Sequence, residues 1–170
     1  MPRRYLTFIP GENYHFYNRG VNRGTIFFCD KNYPFFLFNI ERYVQPIMEL
    51  VAYCLMPTHY HLLIRVRKTS EVLKTSEVST AMMKLSVSYT KAINHAYDRV
   101  GPIFQGAFQA KHIDSAAYLR HLVGYIHLNP VQSGLVQCPD EWDFSSFSVY
   151  QDLEPGDPDV SKRLNDLRGL

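Results

Sequence analysis

The 170-residue chain predicts an α+β fold, a ferredoxin-like antiparallel sheet with helices on one face plus an extra C-terminal helix. Three observations predict it. The apolar spacing switches between periods of two and of three to four residues in the order β, α, β, β, α, β, then a further helix. The segment from Met48 to Val66 reads as two apolar strands meeting at Pro57. Turn and capping residues fall where the period changes.

Each element has its own justification. "NYHFYNRGVNRGTIFF" gives a strand, a Gly/Asn/Arg loop and a short return to extended structure. "KNYPFFLFNIERYVQ" has apolar residues at helical spacing after Asp30, which suits an N-cap. Strands follow over 48–56 and 59–67. "KTSEV" occurs at 68–72 and again at 74–78, a small duplication leading into a helix from about Val78 to Tyr97. "RVGPIFQG" breaks that helix and "AFQAKHI" (107–113) forms the last strand. Asp114 or Ser115 caps a helix through "SAAYLRHLVGYIHLN", which Pro130 is expected to stop. Trp142 and Phe144 are read as a hydrophobic latch for the C-terminal segment. Residues 1–150 are thus one domain, and 151–170, Pro/Gly/Asp-rich at first, an acidic and loosely attached tail.

The totals narrow the function classes. No apolar run approaches the roughly 20 residues needed to span a bilayer, and the N-terminus lacks the pattern of a signal peptide. Cys29, Cys54 and Cys138 are odd in number and form no CxxC pair, which suits free thiols in a reducing compartment, the cytoplasm. Residues 1–139 hold 15 basic and 8 acidic side chains, a balance of +7, while 140–170 hold 3 and 8, a balance of −5. A basic body with an acidic tail suits a polyanionic partner and equally an ordinary solvated surface.

The chemistry sits in "MPTHYHLLIRV" and in the last helix. In an extended chain His59 and His61 point to one face and Tyr60 to the other. That is half of a metal site or a coincidence. On the helix, Leu119, Leu122, Val123 and Ile126 form an apolar stripe, and beside it run Tyr118, His121, Tyr125 and Asn129. Tyr125 and Asn129, at i and i+4, share a face. If the helix crosses the sheet, Asn129 completes a site with His59 and His61, next to Tyr125. Tyrosine, with a pKa of about 10, is a poor nucleophile unless a metal offsets the charge developing on a phosphodiester. No Gly-rich phosphate loop and no acidic triad competes with this reading. Tyr60, Tyr89 and Tyr118 are the rival tyrosines. His121 is a general base, a partner that supports a metal ligand from behind, or a surface hydrogen-bonder. Arg19, Arg23 and Lys111 are candidate phosphate contacts, with loop solvation the alternative for the arginines.

"MPTHYHLLI", "FQGAFQA", "YIHLNPVQSGLV" and "EWDFSSF", in this order, together with "YHFYNRGVNRGTIFF", resemble the HUH-superfamily single-tyrosine transposases, in the branch of the REP-associated tyrosine transposases. The resemblance covers roughly residues 13–150. It implies His59 and His61 as paired metal ligands, Asn129 as an amide-bearing third ligand and Tyr125 as the nucleophile. It further implies Mg²⁺ or Mn²⁺, single-stranded DNA with a foldback hairpin, a monomer or homodimer, and a 5′-phosphotyrosine intermediate. The chain departs from the family pattern at Thr58, where Asn or Glu is frequent, and at Ala107 and Gln109, where basic residues are expected. Two other readings stand beside this one: a hairpin DNA- or RNA-binding module without catalysis, and a zinc hydrolase built on the HxH pair.

Overall fold

The structure is a computed structural model that describes residues 6–68 and 75–151. Its elements are β1 (Asn13–Arg19), α1 (Asn32–Tyr43), β2 (Met48–Met56), β3 (His59–Val66), α2 (Thr75–Ala96), β4 (Gln109–Ile113), α3 (Ala116–Gln132) and a short α4 (Phe147–Gln151). Among the described residues the strands form one antiparallel sheet in the order β2-β3-β1-β4. That order is the ferredoxin-like βαββαβ pattern expected from the alternating periods.

Side-chain alternation divides the sheet into two faces. Tyr14 and Phe16 of β1 and Tyr60, Leu62 and Ile64 of β3 point into the main core. There they meet Phe36 and Ile40 of α1 and Val78, Met82, Leu85, Tyr89 and Ile93 of α2, all at helical spacing. Each such side chain contributes about 1.5–3 kcal/mol by leaving water. The intervening residues point to the opposite face, where α3 seals a smaller core with Leu122 and Ile126.

A β-bulge at Val51 makes the second core possible. Leu50 pairs with Ile64 and Ala52 with Leu63, so Val51 is an extra residue in β2. Leu50 therefore faces the main core, while Ala52, Cys54 and Met56 face α3. Without that insertion the second half of β2 would turn its other side to α3.

The chain after α3 straps the outer edge of β2. The Leu55 amide donates to the Phe144 carbonyl (2.9 Å), and the Ser146 amide to the Tyr53 carbonyl (3.0 Å). Trp142 Nε1–H donates to the Leu55 carbonyl (3.1 Å), and Phe144 stacks on Tyr33 with ring centroids 3.7 Å apart. Trp142 and Phe144 are thus a latch, and it also covers an edge that would otherwise be open to pairing.

Several boundaries differ from expectation. Pro130 lies inside α3, which runs on to Gln132. Proline removes its own i→i−4 bond but does not stop the next turn, which closes with the Ser133 amide donating to the Asn129 carbonyl at 3.0 Å. The helix ends instead at Gly134, whose φ of +69° suits a residue without Cβ. Ser115, not Asp114, caps its start, accepting from the Tyr118 amide at 3.2 Å. Asp30 does not cap α1; Asn32 Oδ1 accepts from the Phe28 and Cys29 amides and turns the chain there. The stretch 25–28 is not a strand, because the Ile26 and Phe27 amides both donate to the single carbonyl of Pro57. The first "KTSEV", apart from Lys68, and the acidic tail beyond Gln151 lie outside the described residues.

Candidate active site

The register of the sheet assembles the polar face. Across from β3, Arg19 pairs with His59, Tyr17 with His61 and His15 with Leu63. On the other side of β1, Lys111 of β4 pairs with His15 and Gln109 with Tyr17. Odd-numbered residues of β1 and β3 therefore share one face with Lys111, and α3 lies over that face.

Leu122 and Ile126 anchor α3 against Ala52, Cys54 and Leu63, which fixes the rotation of the helix. That rotation brings Asn129 onto His59, with Oδ1 and Nε2 3.2 Å apart. An amide oxygen can only accept, so the contact is a hydrogen bond only where His59 carries its proton on Nε2. Its Nδ1 lies 3.1 Å from Thr58 Oγ1. One turn earlier the Tyr125 ring stands edge-on to His61, centroids 5.6 Å apart, and is 38% exposed. The tyrosine is held at the site yet open to a large substrate. Beside it lies a cleft of about 340 Å³ lined by His15, Tyr17, Lys111, Tyr118 and His121.

Burial sets the charge state of the histidines. His61 is pushed down to about 3, chiefly by desolvation and then by the nearby His15 and His59. His15 is pushed down to about 4 by desolvation and by the Lys111 charge. Both rings are neutral at neutral pH, the form in which imidazole binds a metal. The 3.2 Å between His59 Nε2 and Asn129 Oδ1 is close to the roughly 3 Å separating neighbouring donors around a six-coordinate cation with bonds of about 2.1 Å. In donor type and in this one spacing, His59 and Asn129 fit a divalent cation. Among the described residues no group of three or more His, Cys, Asp and Glu side chains converges to hold a metal, so the amide is needed to complete such a set.

The rival tyrosines separate cleanly. Tyr60 and Tyr89 are fully buried in the main core, on the far side of the sheet. Burial raises both hydroxyls well above the ordinary tyrosine range. Tyr118 lines the cleft, with Lys111 Nζ 4.8 Å from its ring centroid. His121 lines the same cleft one turn before Tyr125. Arg19 donates through Nε to Gln105 Oε1 (2.8 Å), which leaves its terminal fork free of that contact. Arg23 lies in a short 3₁₀ turn with φ +57°, exposed and beyond the end of β1. His127 faces away from the cleft, with Nε2 2.8 Å from Ser146 Oγ. The reading of the sequence missed His15 and Tyr17. The alternation in "YHFYNR" carried the signal, since it puts both on the face of Arg19.

No family model matches the chain. A curated protein of Haemophilus influenzae named "Putative REP-associated tyrosine transposase" is 29% identical over 125 residues, 66% of this chain and 69% of that protein. A solved structure, described as a REP-associated tyrosine transposase bound to a REP hairpin, superposes with a TM-score of 0.72. It covers 95% of this chain and 90% of its own at 22% identity. The chain is similar to the REP-associated tyrosine transposases. The likeness to these transposases spans the strands and helices that carry His59, His61, Tyr125 and Asn129, and at 22% identity the structural match speaks for the fold. No helix among the described residues is long and apolar enough to cross a membrane.

Proposed function

We propose that this chain is a transposase-type DNA transferase. It cleaves single-stranded DNA next to a hairpin through Tyr125 and can rejoin the ends. The observation that carries the reading is the convergence of α3 on the HxH strand: Asn129 at 3.2 Å from His59 and the Tyr125 ring 5.6 Å from that of His61. The named relative and the hairpin-bound structural neighbour support the substrate class.

His59, His61 and Asn129 would hold the cation, Mg²⁺ or Mn²⁺, which when bound polarises the scissile phosphate and offsets its developing charge. For His59 to offer Nε2, its proton must sit on Nδ1, where Thr58 Oγ1 can accept it. Tyr125 Oη attacks the phosphorus, forming the tyrosyl–phosphate bond as the bond to the 3′ oxygen breaks. The phenolic proton passes to solvent and the departing 3′ oxygen takes one up. Attack by a 3′ hydroxyl reverses the sequence, so the strand is resealed without a nucleotide cofactor. Arg19, Lys111 and, further out, Arg23 bind the DNA backbone; the cleft edge at Tyr118 and His121 flanks the strand. Tyr125 and both histidines meet within one chain, so a monomer has the parts of one site. Residues 1–150 act as the nuclease domain, followed by the acidic tail.

A denaturing gel for covalent protein–DNA adducts tests the reading, using single-stranded oligonucleotides with and without a hairpin, in Mn²⁺ or EDTA. The expected adduct needs both Mn²⁺ and Tyr125 and is lost in Tyr125→Phe. Hairpin binding with no adduct on any oligonucleotide would move the assignment to a binding module.

A further inference from the structure

His15 is 8% exposed and lies on the face of the sheet that carries the HxH pair. Its Nε2 is 2.9 Å from Nδ1 of His61, with the two rings 5.0 Å apart between centroids and tilted by 33°. A hydrogen bond between two neutral imidazoles needs one N–H and one lone pair, so two arrangements exist. In one, His61 donates from Nδ1 and keeps the lone pair on Nε2. In the other, His15 donates from Nε2, and His61 carries its proton on Nε2 with Nδ1 already engaged. Only the first leaves His61 a nitrogen with which to bind a cation.

We propose that His15 is a positioning residue that accepts from His61 Nδ1–H and so holds His61 in the tautomer that presents Nε2 to a divalent cation. The inference rests on the metal reading of His59, His61 and Asn129. A metal-binding histidine ordinarily donates its second N–H to a carboxylate, a carbonyl or water. Here a second imidazole takes that part. His15 is not itself a further ligand: its Nε2 lone pair is taken by His61 Nδ1–H and its own proton then sits on Nδ1, so no lone pair remains for a cation.

Two measurements on the full chain test this. Long-range ¹H–¹⁵N correlation spectra of the metal-free protein read the tautomer of His61 directly, and are expected to show Nδ1–H. Mn²⁺ affinity, followed by electron paramagnetic resonance without DNA, is expected to fall about ten- to a hundredfold in His15→Phe. His15→Gln, whose amide oxygen can accept, is expected to restore it to within a few-fold. Melting curves confirm that each variant folds. An Nε2–H tautomer in the wild type, or an unchanged Mn²⁺ affinity in folded His15→Phe, would overturn the inference. A wild type that binds no Mn²⁺ although His61 is Nδ1–H would overturn the metal reading itself, and with it the purpose assigned to His15.

Discussion

His127 of α3 and Ser146 of the strap are joined by a 2.8 Å hydrogen bond in the protein interior. The Ser146 hydroxyl also accepts from the Tyr53 amide at 2.9 Å and donates to the Tyr53 carbonyl at 3.2 Å. One donor and two acceptor sites are all a hydroxyl has, so His127 must donate from Nε2. A single side chain thereby ties the site helix to the edge of the sheet. Ser146→Ala leaves buried groups of Tyr53 and His127 without this partner, and urea unfolding is expected to show a loss of about 1–3 kcal/mol. A change inside about 0.5 kcal/mol, the range of ordinary surface substitutions, would show that the strap relaxes around the loss.

The buried histidines make stability depend on pH. Desolvation depresses His127 to about 4, His15 to about 4 with help from Lys111, and His61 to about 3. Each folded value lies below the ordinary value near 6.5, so the unfolded chain binds more protons between these limits. The contribution is therefore complete above about pH 6.5 and is lost as pH falls toward the folded values. Each histidine adds up to about 1.4 kcal/mol per pH unit to the slope. Urea midpoints measured in EDTA should be flat between pH 7 and 8 and drop from pH 6 to 5. A midpoint that does not move over that drop would contradict the burial of these rings.

Tyr60 offers a control for the choice of nucleophile. Its hydroxyl is buried with no hydrogen-bond partner among the described residues. Tyr60→Phe removes a polar group that gains nothing from being there, so stability should hold or rise by about 1 kcal/mol. Covalent adducts should form as in the wild type. A folded Tyr60→Phe protein without adduct would reopen the assignment of Tyr125.

Arg19 should read phosphate and not sequence. Arg19→Gln is expected to weaken binding of unrelated hairpins by a similar factor and to lower the slope of log affinity against log salt by about 1. An effect confined to one hairpin sequence would instead make Arg19 a base reader.

The order of elements was legible because β1, β3, α1 and α2 each keep their period over enough residues to be read. The HxH pair and the spacing of Tyr125 and Asn129 were legible for the same reason, each lying within one regular element. Two things were hidden. Met48 to Met56 is apolar almost throughout, since both faces of β2 are covered, so nothing in the string marks Val51 as the residue where the faces exchange. His15 was hidden because its partner is 46 residues away, on a strand whose adjacency to β1 follows only from the sheet order. Pro130 misled because an internal proline costs one i→i−4 bond without having to end the helix, and here the following turn still closes between the Ser133 amide and the Asn129 carbonyl.

The strap has a bearing on how the protein is made. Chains leave the ribosome N-terminus first, and the segment from Trp142 to Ser146 emerges after every residue of the candidate site. A nascent chain short of that point has both histidines and the tyrosine, yet lacks the His127–Ser146 bond that ties the tyrosine's helix to the rim of β2. On the proposed function, full cutting competence waits for residues 142–146, and a product terminated before them holds the tyrosine's helix by its apolar contacts alone.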